Sequence, residues 1–85
     1  MPRGWPPLSI HELLDVLRAL GFQYARSTGG HDFYTAERHG TKYKVTVDPK
    51  CAPFSVDLLK SMCSQAGCSR KDFYGATPRT AAKIR

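Results

Sequence analysis

The sequence predicts a small α+β domain of two layers, with both helices on one face of a three-stranded antiparallel sheet, in the order αβββα. Three observations carry this expectation. A leucine stripe at helical spacing occupies residues 9–20, period-two alternation between glycine turns runs from Phe22 to Val47, and a second helical stripe follows at residues 55–66. Each helix has one stripe to bury and the hairpin links are short, so one sheet face packs while the other meets water or a ligand. A chain of 85 residues supports one such core and no second.

Residues 1–8, with three prolines and a glycine among the first seven, resist regular structure, although Trp5 can fold back as an anchor. Ser9 and Glu12 form a capping-box signature. Behind it, Ile10, Leu13, Leu14, Leu17 and Leu20 share one helix face, His11, Glu12, Asp15 and Arg18 occupy the other, and Gly21 supplies the left-handed stop. Phe22, Tyr24 and Arg26 then alternate with Gln23, Ala25 and Ser27 in a first strand. Gly29 and Gly30 permit the positive backbone angles of a hairpin, and HDFYTAE returns as the second strand. By parity His31 and Tyr34 face opposite ways, with Tyr34 expected inward. After a turn at residues 38–40, TKYKVTV sets Tyr43, Val45 and Val47 against Lys42, Lys44 and Thr46, one buried side and one wet, basic side.

Pro49 and Pro53 bracket a loop, and Ser55 can cap a helix whose apolar positions are Leu58, Leu59, Met62, Cys63 and Ala66, ended by Gly67. Ser69 and Asp72 form another capping box, which predicts one short turn tucking Phe73 and Tyr74 against the body. The domain is thus expected over residues 9–74. Residues 75–85 hold Arg79, Lys83 and Arg85 without an acid or a long amphipathic pattern, and a flexible basic tail is expected there.

Thirteen Lys and Arg against seven Asp and Glu leave a net charge of +6, which favours a polyanion or an acidic protein as partner. Cys51, Cys63 and Cys68 are odd in number and lack a CxxC spacing, so free thiols in a reducing compartment are expected. Charged residues interrupt the leucines after the proline-rich start, as a secretory signal would not, and no apolar run reaches membrane-spanning length, so the expected location is the cytoplasm. His11, His31 and His39 share no ligand spacing, and the phosphate-loop, nucleophile-elbow and dinucleotide motifs are missing, so neither a metal nor a cofactor is expected.

Imidazole chemistry beside a basic surface is what is left. An imidazole is the side chain best suited to give and take protons without a cofactor, so His31 can take the proton of an RNA 2′-hydroxyl, which then attacks its own phosphorus. Arg26, Arg38, Lys42 and Lys44, if they share its face, stabilise the charge that develops on the phosphate, and Gly29 and Gly30 let a phosphate backbone come close. Taken by itself, a lone histidine after a glycine turn is more often an ordinary strand residue, and His39 fits a solvated loop.

The ordered set ALGF, RSTGGHDFY, KYKVTV and SQAGCSRKDF resembles the HicA toxin family, also called YcfA-like, over about Ser9 to Tyr74. The matching positions are Gly29, Gly30, His31 and Tyr34, then Ala66, Gly67, Ser69 and Phe73. The resemblance implies a fold like the double-stranded-RNA-binding domain and ribosome-independent cleavage of mRNA with His31 as catalytic histidine. It also implies a HicB-type antitoxin that covers the active face and, with the toxin, represses its own operon. Two positions depart from the family pattern: Gly30 stands where a serine is usual, and Asp32 where a second histidine is often found. Two other readings stand beside the nuclease, a noncatalytic RNA binder and a module that docks an acidic protein. The second helix opens SVDLLK, with Asp57 and a single lysine, Lys60, which speaks against simple duplex binding.

Overall fold

The computed structural model describes residues 4–85, in which a three-stranded antiparallel sheet is covered by helices in an α+β arrangement. Helix α1 (Ile10–Ala19) begins at Ser9, whose hydroxyl accepts from the Glu12 amide while the Glu12 carboxylate accepts from the Ser9 amide, completing the capping box. Leu13, Val16 and Leu17 are fully buried, so the buried stripe is centred one position away from the leucines alone, with Val16 in place of Leu14. The chain turns at Gly21 (φ +91°) into β1 (Gln23–Thr28), β2 (His31–Arg38) and β3 (Thr41–Val47), ordered β1-β2-β3.

Two-residue turns join the strands. Gly29 (φ +58°) and Gly30 (φ +86°) make the first, His39 (φ +52°) and Gly40 (φ +79°) the second, each with both central residues in the positive-φ region that matches strand twist. Between β2 and β3 the register runs unbroken from Arg38↔Thr41 to Asp32↔Val47. Between β1 and β2 it slips: Arg26 pairs with Phe33 but Tyr24 with Tyr34, leaving Ala25 as a one-residue bulge. Strict alternation across Phe22, Tyr24 and Arg26 therefore fails. Upstream of the bulge Tyr24 meets Tyr34 edge to face, with centroids 5.7 Å apart, and downstream Arg26 stands over Phe33.

Val45 and Val47 are fully buried and fix which sheet face is inward. Tyr34, Ala36 and Tyr43 flank them, so Tyr34 faces inward as its parity predicts. Asp48 accepts from the Lys50 amide and opens a 3-10 turn (Pro49–Cys51) that leads to α2 (Val56–Gln65). Leu59, Met62 and Cys63 of α2 are buried, with Ala66 following, but Leu58, expected in the core, stays 38% exposed. Cys63 behaves as a core residue whose thiol is pushed up to about 12, chiefly by burial. Gly67 (φ +71°) ends α2 by sending the Cys68 amide back to the Cys63 carbonyl.

Helix α3 (Arg70–Tyr74) is the expected capped turn, with Phe73 and Tyr74 wholly buried. Residues 75–85, expected as a flexible tail, carry regular structure. Thr77 caps α4 (Pro78–Ala81), a 3-10 turn (Ala82–Ile84) follows, and Thr80 is fully buried, donating to the Tyr74 carbonyl. Lys83 lies 3.4 Å from the Glu12 carboxylate and also donates to the Pro7 carbonyl. The reason is local: a Thr-Pro start pre-sets a helix turn, and a buried hydroxyl anchors it, neither of which needs a long amphipathic stripe. Residues 5–9 carry no helix or strand but are held down, with Leu8 buried and Trp5 edge-on to Tyr74 at 6.0 Å. The first three residues of the expected irregular segment lie outside the described residues.

Candidate functional site

His31 is the first residue of β2, delivered there by the Gly29–Gly30 turn, and its side chain is 50% exposed. It lies on the open sheet face, the side opposite Val45 and Val47. A Cβ added to Gly29 or Gly30 would meet nothing within 4 Å, so the space over the turn is clear for an approaching backbone. The residue at its back is Asp48. Asp48 follows Val47, the partner of Asp32, and so stands opposite His31, with its Oδ2 3.9 Å from His31 Nε2. Its other oxygen caps the 3-10 turn at 3.1 Å, which holds the carboxylate in place. At 3.9 Å the two are too far apart for a hydrogen bond, and they attract as an ion pair only when the imidazole carries a proton. Nδ1 of His31 has no partner among the described residues.

Asp32, the acid next in sequence, turns the other way. Its carboxylate accepts from the Ser27 hydroxyl, itself bonded to Tyr24, on the inward side of the sheet. It neither orients His31 nor repels an anion on the open face.

Two residues beyond His31 on the same face stands Phe33, a separation of roughly 6.6 Å along the strand. The guanidinium of Arg26 lies 5.3 Å from its ring centroid and the ammonium of Lys44 5.0 Å, one from each neighbouring strand. Among the described residues neither cation has a carboxylate within ion-pair distance. The bulge at Ala25 is what brings Arg26 to this face. His31, Gly29, Gly30, Arg26 and Lys44 are thus gathered in one region.

Arg38 and Lys42 are not part of it. Lys42 is on the open face but pairs with Glu37, six residues along β2 from His31, roughly 20 Å away. Arg38 faces inward, between the rings of Phe22 (5.8 Å) and Tyr43 (4.8 Å), and donates to the Ala66 carbonyl at the end of α2. Its Nε is buried without a hydrogen-bond partner among the described residues. Strand parity explains the misplacement: Arg38 is an even number of residues from Tyr34 and shares its inward side, where a helix C-terminus welcomes a cation. His39 forms the second turn and is exposed.

On its other flank His31 borders a cleft of about 320 Å³ between α2 and the free edge of β3. It is lined by the apolar side chains of Phe54, Leu58 and Met62 and by the polar Thr46, Ser61 and Gln65. Gln65 reaches across to the sheet edge, its side-chain oxygen accepting from the Thr46 amide at 3.0 Å. Asp48, Phe33 and this cleft are the site features that residue-type reasoning passed over.

Among the described residues no group of three or more His, Cys, Asp or Glu side chains is placed to hold a metal ion, and no helix is long and apolar enough to cross a membrane. Compared with known proteins, the chain matches no family model and no curated sequence.

Proposed function

We propose that the protein is a metal-independent endoribonuclease of the toxin type, acting on mRNA through His31. One observation carries the reading: a half-exposed imidazole with a carboxylate behind it, on the sheet face where Arg26 and Lys44, over the ring of Phe33, have no carboxylate within ion-pair distance among the described residues. The Asp48 carboxylate lies on the Nε2 side of the ring, which leaves Nδ1 free to accept a proton from the ribose 2′-hydroxyl. The 2′-oxygen then bonds to phosphorus, the bond to the 5′-oxygen breaks, and that oxygen leaves with a proton from water. The ends produced are a cyclic phosphate and a 5′-hydroxyl. Arg26 and Lys44 stabilise the negative charge that grows on the phosphate oxygens, and the Asp48 carboxylate stabilises the imidazolium as it forms.

The resemblance to HicA toxins supports the same reading, as does the succession of a first helix, three strands and a second helix, the order of a double-stranded-RNA-binding-like fold. On this reading α3 and α4 are additions to that scheme, the protein works in the cytoplasm, and a HicB-type antitoxin with an acidic surface covers the open face. Asp32, which departs from the family pattern, is engaged by Ser27 and leaves the site unobstructed.

The test is induction in cells of the native chain, His31→Ala and Asp48→Asn, followed by growth and mRNA integrity, with cleavage of purified RNA in excess chelator alongside. Native chain should arrest growth and cut RNA in chelator, His31→Ala should do neither, and Asp48→Asn should cut at least tenfold more slowly. Arrest that survives His31→Ala would favour a noncatalytic binder using the same face, and cleavage that stops in chelator would refute the mechanism.

A further inference from the structure

We propose that the cleft between α2 and the free edge of β3 receives one unstacked nucleobase of a single-stranded RNA, beside His31, and so restricts the substrate to unpaired strands. The inference rests on the reading of RNA as ligand and adds to it the form the RNA must take.

The cleft has the composition of a slot for a flat heterocycle. Phe54, Met62 and Leu58 offer apolar surface to the faces of a base, and its volume of about 320 Å³ lies at the lower end of small-molecule sites. Polar groups share the lining and can meet the edge of a base. Gln65 spends its oxygen on the Thr46 amide and keeps its NH2 group, while the hydroxyls of Ser61 and Thr46 have no hydrogen-bond partner among the described residues. A base still paired and stacked presents neither a free edge nor a free face, so only an extruded base satisfies both sets of groups.

Leu58 gives an independent indication. Its position on the apolar stripe of α2 predicts burial, yet it is 38% exposed, and its exposed surface lines the cleft. Charge places the rest of the strand. Arg26 and Lys44, the two cations over Phe33, lie on the sheet side of His31, so phosphates run over the sheet while a base turns off its edge. In-line attack by a 2′-hydroxyl also requires a ribose and phosphate turned out of helical geometry, which extrusion of the attached base provides.

The experiment uses the full chain carrying His31→Ala, so that RNA is bound without being consumed. Its affinity is measured for a six-nucleotide single strand, for a strand of the same length and charge lacking every base, and for a blunt duplex. The intact strand should bind about tenfold more tightly than the abasic strand, the preference one well-seated base supplies. Adding Ser61→Phe, or separately Leu58→Trp, fills the cleft from exposed positions of α2 and should erase that preference while leaving abasic binding and the thermal midpoint unchanged. A base preference that survives both substitutions would place the bases elsewhere, on Phe33 for example, and overturn the proposal, as would equal binding of intact and abasic strands or tighter binding of duplex. Cleavage by the native chain is scored separately. Base preference without cleavage sinks the nuclease reading alone, whereas cleavage without base preference sinks the cleft alone.

Discussion

Replacing Thr80 by Val tests whether residues 75–85 belong to the folded body. Thr80 is fully buried, and its hydroxyl donates to the carbonyl of Tyr74 and shares a 2.7 Å bond with the hydroxyl of Thr77. Valine keeps the shape and the branch at Cβ, so no cavity opens, but the Tyr74 carbonyl loses its side-chain donor in a place where water does not reach. Leaving a buried polar group unmatched costs about 1–3 kcal/mol. Taking about 2 kcal/mol, a domain of this size should lose roughly 8–16 °C in its thermal midpoint. Circular dichroism of the full chain, heated at neutral pH, reads this directly. A midpoint within about 2 °C of the parent would mean that the hydroxyl is solvated and the segment not docked.

Arg38→Ala should lower the midpoint and leave RNA affinity intact, because Arg38 joins the end of α2 to the inner sheet face, whereas Arg26→Ala and Lys44→Ala should weaken RNA binding and reduce its salt dependence without destabilising the fold. Gly67→Ala should cost more than Gly29→Ala in urea titrations, since a Cβ at Gly67 would overlap the Tyr43 ring whereas one at Gly29 meets open space, leaving only the roughly 1 kcal/mol conformational term. Glu12 should contribute to acid sensitivity. The Ser9 amide, with Lys83 behind it, holds its carboxyl below the usual 4.5, so its stabilisation is complete above that value and fades as pH falls through the lower folded one. Glu12→Gln should therefore flatten the loss of stability between about pH 5 and 3, as followed by melting at successive pH values.

Much of the scaffold was legible because it follows from local rules. The Ser9–Glu12 box, the paired glycines and the Tyr43–Val45–Val47 alternation each specify their element through a nearest-neighbour effect. Asp48 was recoverable too: counting back from the turn at His39–Gly40 in unbroken register sets it opposite His31, but only once that turn is taken as two residues long. The bulge was not recoverable, since nothing in QYARST distinguishes a slipped strand from a regular one until Arg26 is seen beside Phe33. Arg38 was misplaced because charge suggested solvent, whereas its partner, the Ala66 carbonyl, is distant in sequence. The docking of residues 75–85 escaped for the same reason. Its anchors, Tyr74 and Glu12, are tertiary neighbours that no window around Thr80 reveals.

The carbonyls of Gly4, Pro6 and Pro7 accept from Arg70, Tyr74 and Lys83, at 2.7, 2.7 and 3.3 Å. Those bonds join segments separated by more than sixty positions. During synthesis the earliest of these groups must therefore wait until residues 70–83 have left the ribosome, and the sheet can pair well before that clasp closes. A nascent chain can thus hold a paired sheet while the two ends of the domain are still unjoined.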